Sequence, residues 1–449
     1  MARGKKREKI LTLEEKLQEA IVPENEQPHE LPDNWRWVTF SSLIVLISGR
    51  DAALSDCNDQ GDGIPYILGA SNLDNNSFSI ERWIRVPQVV SLKGDILLSV
   101  KGTIGKLYLQ NEEAINISRQ IMAIRPCNLL NTKYTYYLLM SICEELKSTG
   151  NGLIPGISRK DILERPFPLP PLPEQQRIVD RIESLFAKLD EAKEKAQAVV
   201  DGFEDRKAAI LHKAFTGELT ERWRRDNGVG FNTWQMKTVD SVCNSLKYGT
   251  AKKSEKNGDV VVIRMGNLQQ GEIDWRDLAY TSDKDDISKY HLEPNDVLFN
   301  RTNSAALVGK TSIYRGEYPA IYAGYLIKLD YDHSVIIGDY LNYALNTQHA
   351  KEYCNAVKTD GVNQSNINAK KIGAYGFPVP SIKEQKKIVE ILRKFIGKEC
   401  QAKESAEQVI VQIDIMKKSI LARAFRGELG TNDPSDESAE KLLIHDRRQ

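Results

Sequence analysis

Long hydrophobic runs are missing from this 449-residue sequence, and the longest, Leu43 to Ile47, is far too short to cross a bilayer. The basic stretch Met1 to Ile10 is not followed by an apolar segment, so no secretory leader is expected and a cytoplasmic location is. Cysteine is scarce and dispersed. Cys57, Cys127, Cys143, Cys243, Cys354 and Cys400 form no close pair, which argues against a disulfide framework or a zinc site. The six histidines (His29, His212, His291, His333, His349 and His445) are equally isolated, so no catalytic or metal role is assigned to them. An excess of one charge is also lacking: 62 Lys and Arg stand against 62 Asp and Glu. A neutral chain does not grip a polyanion by charge alone.

Signatures of catalysis are absent as well. The sequence holds no Asn-Pro-Pro-aromatic motif for amino methylation, no glycine-rich cofactor loop after a strand and no His/Cys cluster. Gly309-Lys310-Thr311 mimics the end of a phosphate-binding loop, but the position of its first glycine is held by Ser304, so a strand and turn is expected there.

What is present is a globular composition, 41% hydrophobic and 28% charged, in a chain long enough for two to four domains. It also contains an internal repeat. At a constant offset of 210, Phe167, Pro168 and Pro170 fall on Phe377, Pro378 and Pro380, and Glu174, Gln175, Ile178 and Val179 fall on Glu384, Gln385, Ile388 and Val389. The register holds to Gly217-Glu218-Leu219 over Gly427-Glu428-Leu429. Each copy reads as one long helix, with prolines before it and a Gly-Glu-Leu after it. Ile178, Ile182, Leu185, Leu189, Ala192, Ala196, Val199 and Phe203 predict a heptad seam. Its partner is Ile388, Leu392, Phe395, Glu399, Ala402, Ala406, Val409 and Ile413, broken only at Glu399. Such helices would be rods of roughly 60 Å, most simply paired antiparallel, with the small alanines allowing close approach.

Two blocks rich in short β runs and Gly, Asn and Asp turns precede the rods, each with a helical stretch near its end (Tyr134 to Leu146; Asp339 to Val357). They echo each other weakly, Lys93 to Ser99 with Pro294 to Asn300. The expected division is an N-terminal helical extension (1–31, capped at Thr12), a first head (32–165), a first long-helix region (166–228), a second head (229–377), a second long-helix region (378–429) and a C-terminal extension with little fixed structure (430–449). The fold class is therefore tandem α/β (α+β) heads, each followed by a long helix, the two helices forming an antiparallel coiled coil with pseudo-two-fold arrangement.

This organisation, with PLPPLPEQQRIVDRIE from Pro168, KAAILHKAFTGELTERWR from Lys207 and SILARAFRGEL from Ser419, resembles the specificity subunits of type I restriction-modification enzymes, from Leu31 to Leu429. Ser99 to Lys106 and Asn300 to Ser304 are similar to segments of that family's target-recognition domains. The resemblance implies a non-catalytic, DNA-binding specificity subunit in which each head reads one half of a split target and the helices set the unread spacer. It also implies two methyltransferase subunits bringing S-adenosylmethionine for adenine methylation, and two motor-nuclease subunits bringing ATP and Mg. Neither cofactor is expected on this chain, and no membrane partner is. A methylation-only complex, or a coiled-coil scaffold that never touches DNA, are the alternatives. Half-sites on one duplex face recur every ~34 Å, a separation that rods of this size can set.

Base readout needs Arg or Lys for guanine and Asn or Gln for adenine, on segments able to enter a groove. In the first head the candidates are Arg50, Lys101, Thr103, Arg119 and Gln120; in the second, Lys247, Tyr248, Asn300, Arg301 and Asn303, with the segment Tyr322 to Tyr325. Asn363 and Gln364 lie in a loop just before the second rod, and Lys252, Lys253 and Lys256 are candidates for phosphate contacts. Asp33 to Arg165 carries 14 basic and 14 acidic residues and Gly230 to Phe377 carries 17 and 17, so both heads are neutral. The isolated chain is therefore expected to bind DNA weakly and with a shallow salt dependence, the remaining phosphate grip coming from partner subunits.

Overall fold

The structure, a computed structural model, describes residues 20–74, 77–148, 156–362 and 364–446. The helix expected from Thr12 lies almost wholly outside the described residues. Two compact units are formed, residues 1–195 with 409–449, and residues 196–408. The division cuts through the long helices rather than at their ends. Among the described residues, helices of eight or more residues are α1 (Thr132–Ser148), α2 (Leu172–Asp201), α3 (Phe203–Phe215), α4 (Gly338–Leu345), α5 (Gln348–Val357), α6 (Ile382–Ala424) and α7 (Ala439–Asp446).

Each head is built on a sheet with four antiparallel strands in common, extended in the second unit by Glu272–Ile273, parallel to Thr311–Ile313, and Leu268–Gln269. In the first unit it comprises β1 (Ile44–Ser48), β2 (Ile96–Ser99), β3 (Leu107–Leu109) and β4 (Ile121–Pro126), in the order β1-β4-β2-β3. In the second, β5 (Cys243–Tyr248), β6 (Val297–Asn300), β7 (Thr311–Ile313) and β8 (Leu326–Tyr331) follow the same order, β5-β8-β6-β7. A further sheet in each unit contains one parallel pair, Ile64–Ile67 with Ala114–Ile117 and Val260–Ile263 with Ala320–Tyr322. The weak sequence echo between the heads is thus a shared topology. Its central strands read Ile-Leu-Leu-Ser and Val-Leu-Phe-Asn without polar alternation because both are buried throughout.

Each head closes on itself before its helix begins. Arg36–Thr39 pairs antiparallel with Pro166–Leu169, and Gln235–Thr238 with Gly376–Val379. These are two-stranded pairs, where proline costs the ladder little. The Glu-Gln that follows in each copy is fully buried. Gln175 Nε2 donates to the carbonyls of Leu129 (2.9 Å) and Pro170 (3.1 Å) while its Oε1 accepts from Asn131 N (2.7 Å). Gln385 repeats this with Val335 (2.9 Å), Pro380 (2.8 Å) and Ile337 N (3.0 Å). Tyr134 and Tyr340 donate to the carbonyls of Pro168 and Pro378, both at 2.8 Å. The repeat is therefore a polar bolt between head and helix, and each amide is fully satisfied, as burial requires.

The carboxylates differ between the copies. Glu174 Oε2 accepts from Trp35 Nε1 (2.8 Å) and Asn432 Nδ2 (2.9 Å), with no ion pair among the described residues. Glu384 accepts from Trp234 Nε1 (3.1 Å) and Thr220 Oγ1 (2.7 Å), and pairs with the buried Arg224 at 2.7 Å.

The helix ends belong to the cores. Leu421, Ala424 and Phe425 pack with Tyr134 and Phe167 in the first unit, and Leu211 and Ala214 with Tyr340 and Phe377 in the second. Phe425 meets Tyr134 at 5.3 Å and Phe215 meets Tyr340 at 5.0 Å between ring centroids. Within each unit the helices run antiparallel. Lys193 pairs with Asp414 and Lys417 with Asp190 in the first, and Arg206 with Glu399 in the second.

Three expectations are corrected. The first rod is present over 172–215 but carries a one-residue irregularity at Gly202, across which Gly202 N still donates to Ala198 O and Arg206 N to Gly202 O, and Arg206 Nη2 reaches back to the carbonyl of Val199 (2.7 Å). The seam shifts by one at alternate positions. Phe395, Ala402, Val409 and Ala192 are exposed, while Ile396, Lys403, Ile410 and Lys193 are turned partly inward. Phe395-Ile396 and Val409-Ile410 are adjacent apolar pairs, so spacing alone does not fix which one faces in. Lysine stems fill the seam instead, Lys403 over Phe203 and Lys417 over Phe186.

The C-terminal stretch is also structured. Helix α7 buries Ala439 and Leu443 in the first core, Arg177 pairs with Asp436 and Arg36 with Glu440. Replacing Leu443, 1% exposed, by alanine is expected to cost about 2–3 kcal/mol. Thermal unfolding checks this; an unchanged melting temperature would show that the tail is dispensable.

Candidate nucleic-acid interface

At the end of each central sheet several loops converge through one set of backbone hydrogen bonds. In the first unit Gly49 N donates to Ile121 O, Arg50 N to Ile117 O, Ser118 N to Ile67 O, Val100 N to Gln120 O and Ile157 N to Val100 O. In the second, Gly249 N donates to Leu326 O, Thr250 N to Tyr322 O, Ala323 N to Ile263 O, Arg301 N to Tyr325 O and Ile367 N to Arg301 O. The two sets superpose bond for bond. Glycine is required where the loops touch: a Cβ would lie 2.1 Å from Ser118 O at Gly49 and 2.2 Å from Tyr322 O at Gly249.

The first cluster brings together Arg50, Lys101, Arg119 and Gln120, with Thr103 two residues beyond Lys101 in the chain. Arg50, Lys101, Thr103 and Arg119 are exposed, and Gln120 is half-buried. Arg119 is held by Asp51, its Nε 2.8 Å from Oδ2 and its backbone N 3.1 Å from Oδ1. Arg159 was not anticipated. It follows the capping residue Ser158 and reaches the rim, donating to Leu46 O and Ser48 Oγ, both at 2.9 Å.

In the second cluster the Arg301 guanidinium lies 4.8 Å from the Tyr248 ring centroid and donates to Asn366 Oδ1 (3.0 Å). Asn366 in turn donates to Thr302 Oγ1 (2.9 Å), and Tyr248 OH accepts from Ala369 N (2.9 Å). Arg301 Nε is buried without a partner, and Nη1 makes only a 3.5 Å approach to Gly324 O. The guanidinium is thus held over an aromatic face with Nη1 only weakly engaged, a state suited to recognition of a base edge. Tyr325 and Gln364 are exposed beside it, and Asn303 is half-buried, its Oδ1 accepting from Ser304 N.

Two candidates take other places. Asn300 is wholly buried, its Oδ1 accepting from Thr302 N, so it shapes the turn and cannot reach a base. Lys247 pairs with Asp330 at 3.0 Å; although burial pushes that carboxyl up, the hydrogen bonds from Lys247 and Ser245 hold it below the usual range. Lys252 is likewise engaged by Asp283, which raises the ammonium above its ordinary value, whereas Lys253 and Lys256 are exposed. Asn363 lies outside the described residues. Asn366 carried no spacing signal, because its role comes from the pairing of Thr302–Asn303 with Ser365–Asn366.

Equivalent backbone positions carry different side chains. Arg50, Val100 and Gln120 in the first unit correspond to Thr250, Arg301 and Tyr325 in the second. The scaffold is duplicated and the side chains it presents are not.

Comparison with known proteins gives a consistent result. Residues 32–200 and 232–409 match the family model for the type I restriction modification DNA specificity domain. The chain is 26% identical over 428 residues to the type I restriction enzyme StySPI specificity subunit of Salmonella potsdam, covering 89% of this chain and 90% of that protein. It is 24% identical over 426 residues to the EcoKI specificity subunit of Escherichia coli (strain K12), with 89% and 90% covered. Among solved structures, a chain described under complex assembly and conformational transition of the type I R-M system matches with a TM-score of 0.70 and 19% identity, covering 89% of this chain and 100% of that one. The HsdS subunit from Thermoanaerobacter tengcongensis matches at 0.54 and 19%, covering 90% and 100%. Both share the fold.

Proposed function

This chain belongs to the type I restriction modification DNA specificity family, and from that premise we propose that it is the non-catalytic subunit that reads a bipartite DNA target, one half-site per head. The observation that carries the reading is the duplicated loop cluster with unlike side chains. Arg50, Gln120 and Lys101 in one head and Arg301, Tyr325 and Asn303 in the other present different donors and acceptors, so the two half-sites differ in sequence. The helices α2, α3 and α6 act as the ruler for the spacer and as docking surface for two adenine methyltransferase subunits, which carry S-adenosylmethionine and extrude the target base. Motor-nuclease subunits with ATP and Mg join through them; without those subunits the same chain serves a methylation-only complex.

Neutral heads fit this division of labour. Arg119, Lys247 and Lys252 are ion-paired within the chain, which leaves few free cations for phosphates and assigns the rest of the grip to the partners. The test is a head exchange. Replacing residues 32–165 by the corresponding head of a relative, and selecting duplexes from a random pool with the assembled complex, is expected to change one half-site and leave the other and the gap intact. Selection of no sequence, or of a motif changed in both halves, would contradict one head per half-site.

A further inference from the structure

We propose that the second unit contains a binding site for a phosphate-class oxyanion, formed by Lys207, Lys310 and Lys351 around a small cavity between α3 and the second head. The cavity measures about 100 Å³ and is also lined by Gln270, Thr311 and Asn346. That is less than the roughly 150 Å³ that holds a benzene ring, a size that suits a small tetrahedral anion. The site goes beyond sequence reading by the loop clusters and does not depend on it.

Three ammonium groups share this space and none is ion-paired with a carboxylate among the described residues. Lys207 Nζ donates to Gln270 Oε1 (2.7 Å) and Lys310 Nζ to Gln269 Oε1 (3.0 Å), both neutral acceptors. The one acid in the lining, Glu204, accepts from Gln270 Nε2 (3.2 Å). Burial depresses the Lys207 ammonium below its ordinary value, an effect that nearby Glu204 partly offsets and Lys351 adds to, and burial with Lys351 depresses Lys310 as well. Like charges held together in a partly desolvated place are costly until an anion joins them. Lys351 stands in the first turn of the ten-residue α5, whose positive end adds to the same field.

The other unit supplies an internal control. At the offset of 210, Lys207 corresponds to Lys417 and Cys400 to Asp190. Lys417 is neutralised by Asp190 at 2.5 Å. In the second unit the acid's position is held by Cys400, close enough to Lys207 to influence its titration. The cross-helix ion pair of one copy of the fold has no counterpart at Lys207 among the described residues of the other, where Glu204 is the only acid in the cavity lining. Lys310 is the lysine of the Gly-Lys-Thr string noted in the sequence. It precedes strand β7 rather than opening a helix, so no nucleotide cradle forms, yet its ammonium enters the cavity lining.

Calorimetric titration of the full chain with inorganic phosphate, against chloride at matched ionic strength, tests the site. One phosphate per chain is expected, weakened at least tenfold by Lys310→Met and by Cys400→Asp, which installs the other unit's acid beside Lys207. Lys106→Met, at the matching Gly-Lys of the first unit, is expected to bind as the parent does. Circular dichroism melts of Cys400→Asp, expected at or above the parent temperature, separate lost binding from lost folding. No heat beyond that of chloride, or undiminished binding by both variants, overturns the proposal. A random-sequence 30-base-pair duplex identifies the source: competition with phosphate assigns the ligand to a DNA backbone phosphate, and unaltered phosphate affinity assigns a free anion.

Discussion

Glu384→Gln destabilises residues 196–408 by about 3 kcal/mol, whereas Glu174→Gln, the same change at the repeated position, costs less than about 1 kcal/mol. The difference lies in the partners. Glu384 uses both oxygens, one for Trp234 and one shared by Thr220 and Arg224, and the Arg224 side chain is only 10% exposed. Glutamine has one oxygen, so either the indole N–H or the guanidinium N–H faces an amide NH₂ group. The arginine then remains buried and unpaired, a situation that costs roughly 3–5 kcal/mol; the surviving acceptor places the loss at the lower end. Glu174 leaves no buried cation unpaired, because the nearby Arg177 is already paired with Asp436. A glutamine oxygen there keeps Trp35 and Asn432, and its NH₂ can donate to the Thr431 hydroxyl, which rotates to accept. Hydrogen exchange read separately over the two units distinguishes the outcomes, and equal losses in both variants would contradict the assignment.

The Glu174 variant also separates from its parent by pH. Burial raises the Glu174 carboxyl above its ordinary value, against the opposing hydrogen bonds from Trp35 and Asn432 and the nearby Arg177. A folded-state value above the unfolded one contributes stability that is complete below the unfolded pKa and is lost as pH rises through the folded pKa. Relative to the parent, Glu174→Gln is therefore expected to gain between pH 4 and pH 8. A parallel pH profile for parent and variant would show that the carboxyl is not perturbed.

Arg301→Ala lowers affinity of the assembled complex for its cognate target about 5- to 150-fold, the ~1–3 kcal/mol of one bidentate base contact, and relaxes sequence choice in the second half-site alone. The guanidinium is stacked on Tyr248 and tied at one nitrogen to Asn366, so its orientation is fixed before DNA arrives. Arg301→Lys keeps the charge and loses the fork. It is expected to retain most of the affinity for nonspecific duplex and little of the specificity. A uniform loss across all sequences, with a smaller salt slope, would instead make Arg301 a phosphate contact.

The long helices were legible in the sequence because their signal is periodic and repeated: prolines, Glu-Gln, a heptad and Gly-Glu-Leu all recur at one offset. The inward face was not, since Phe395-Ile396 and Val409-Ile410 satisfy either seam. Head topology was legible only as an echo. Its order rests on pairings between distant segments, such as β1 with β4, that leave no local pattern. Helix α7 was missed because its segment is mostly polar and only Ala439 and Leu443 are buried among its apolar residues. In the interface, polar clusters near glycine marked the right loops but could not rank neighbours. Asn300 and Arg301 are adjacent, yet the first ends the buried strand β6 and the second emerges onto Tyr248. That distinction belongs to the sheet.

The central claim is that two unlike heads on a fixed helical ruler read one split target. Coexpression with the cognate methyltransferase, followed by long-read mapping of methylated adenines, tests it most directly. The account predicts a motif of two different half-sites separated by a constant unread gap, with one adenine methylated in each half. An uninterrupted motif, a variable gap or two identical halves would contradict it.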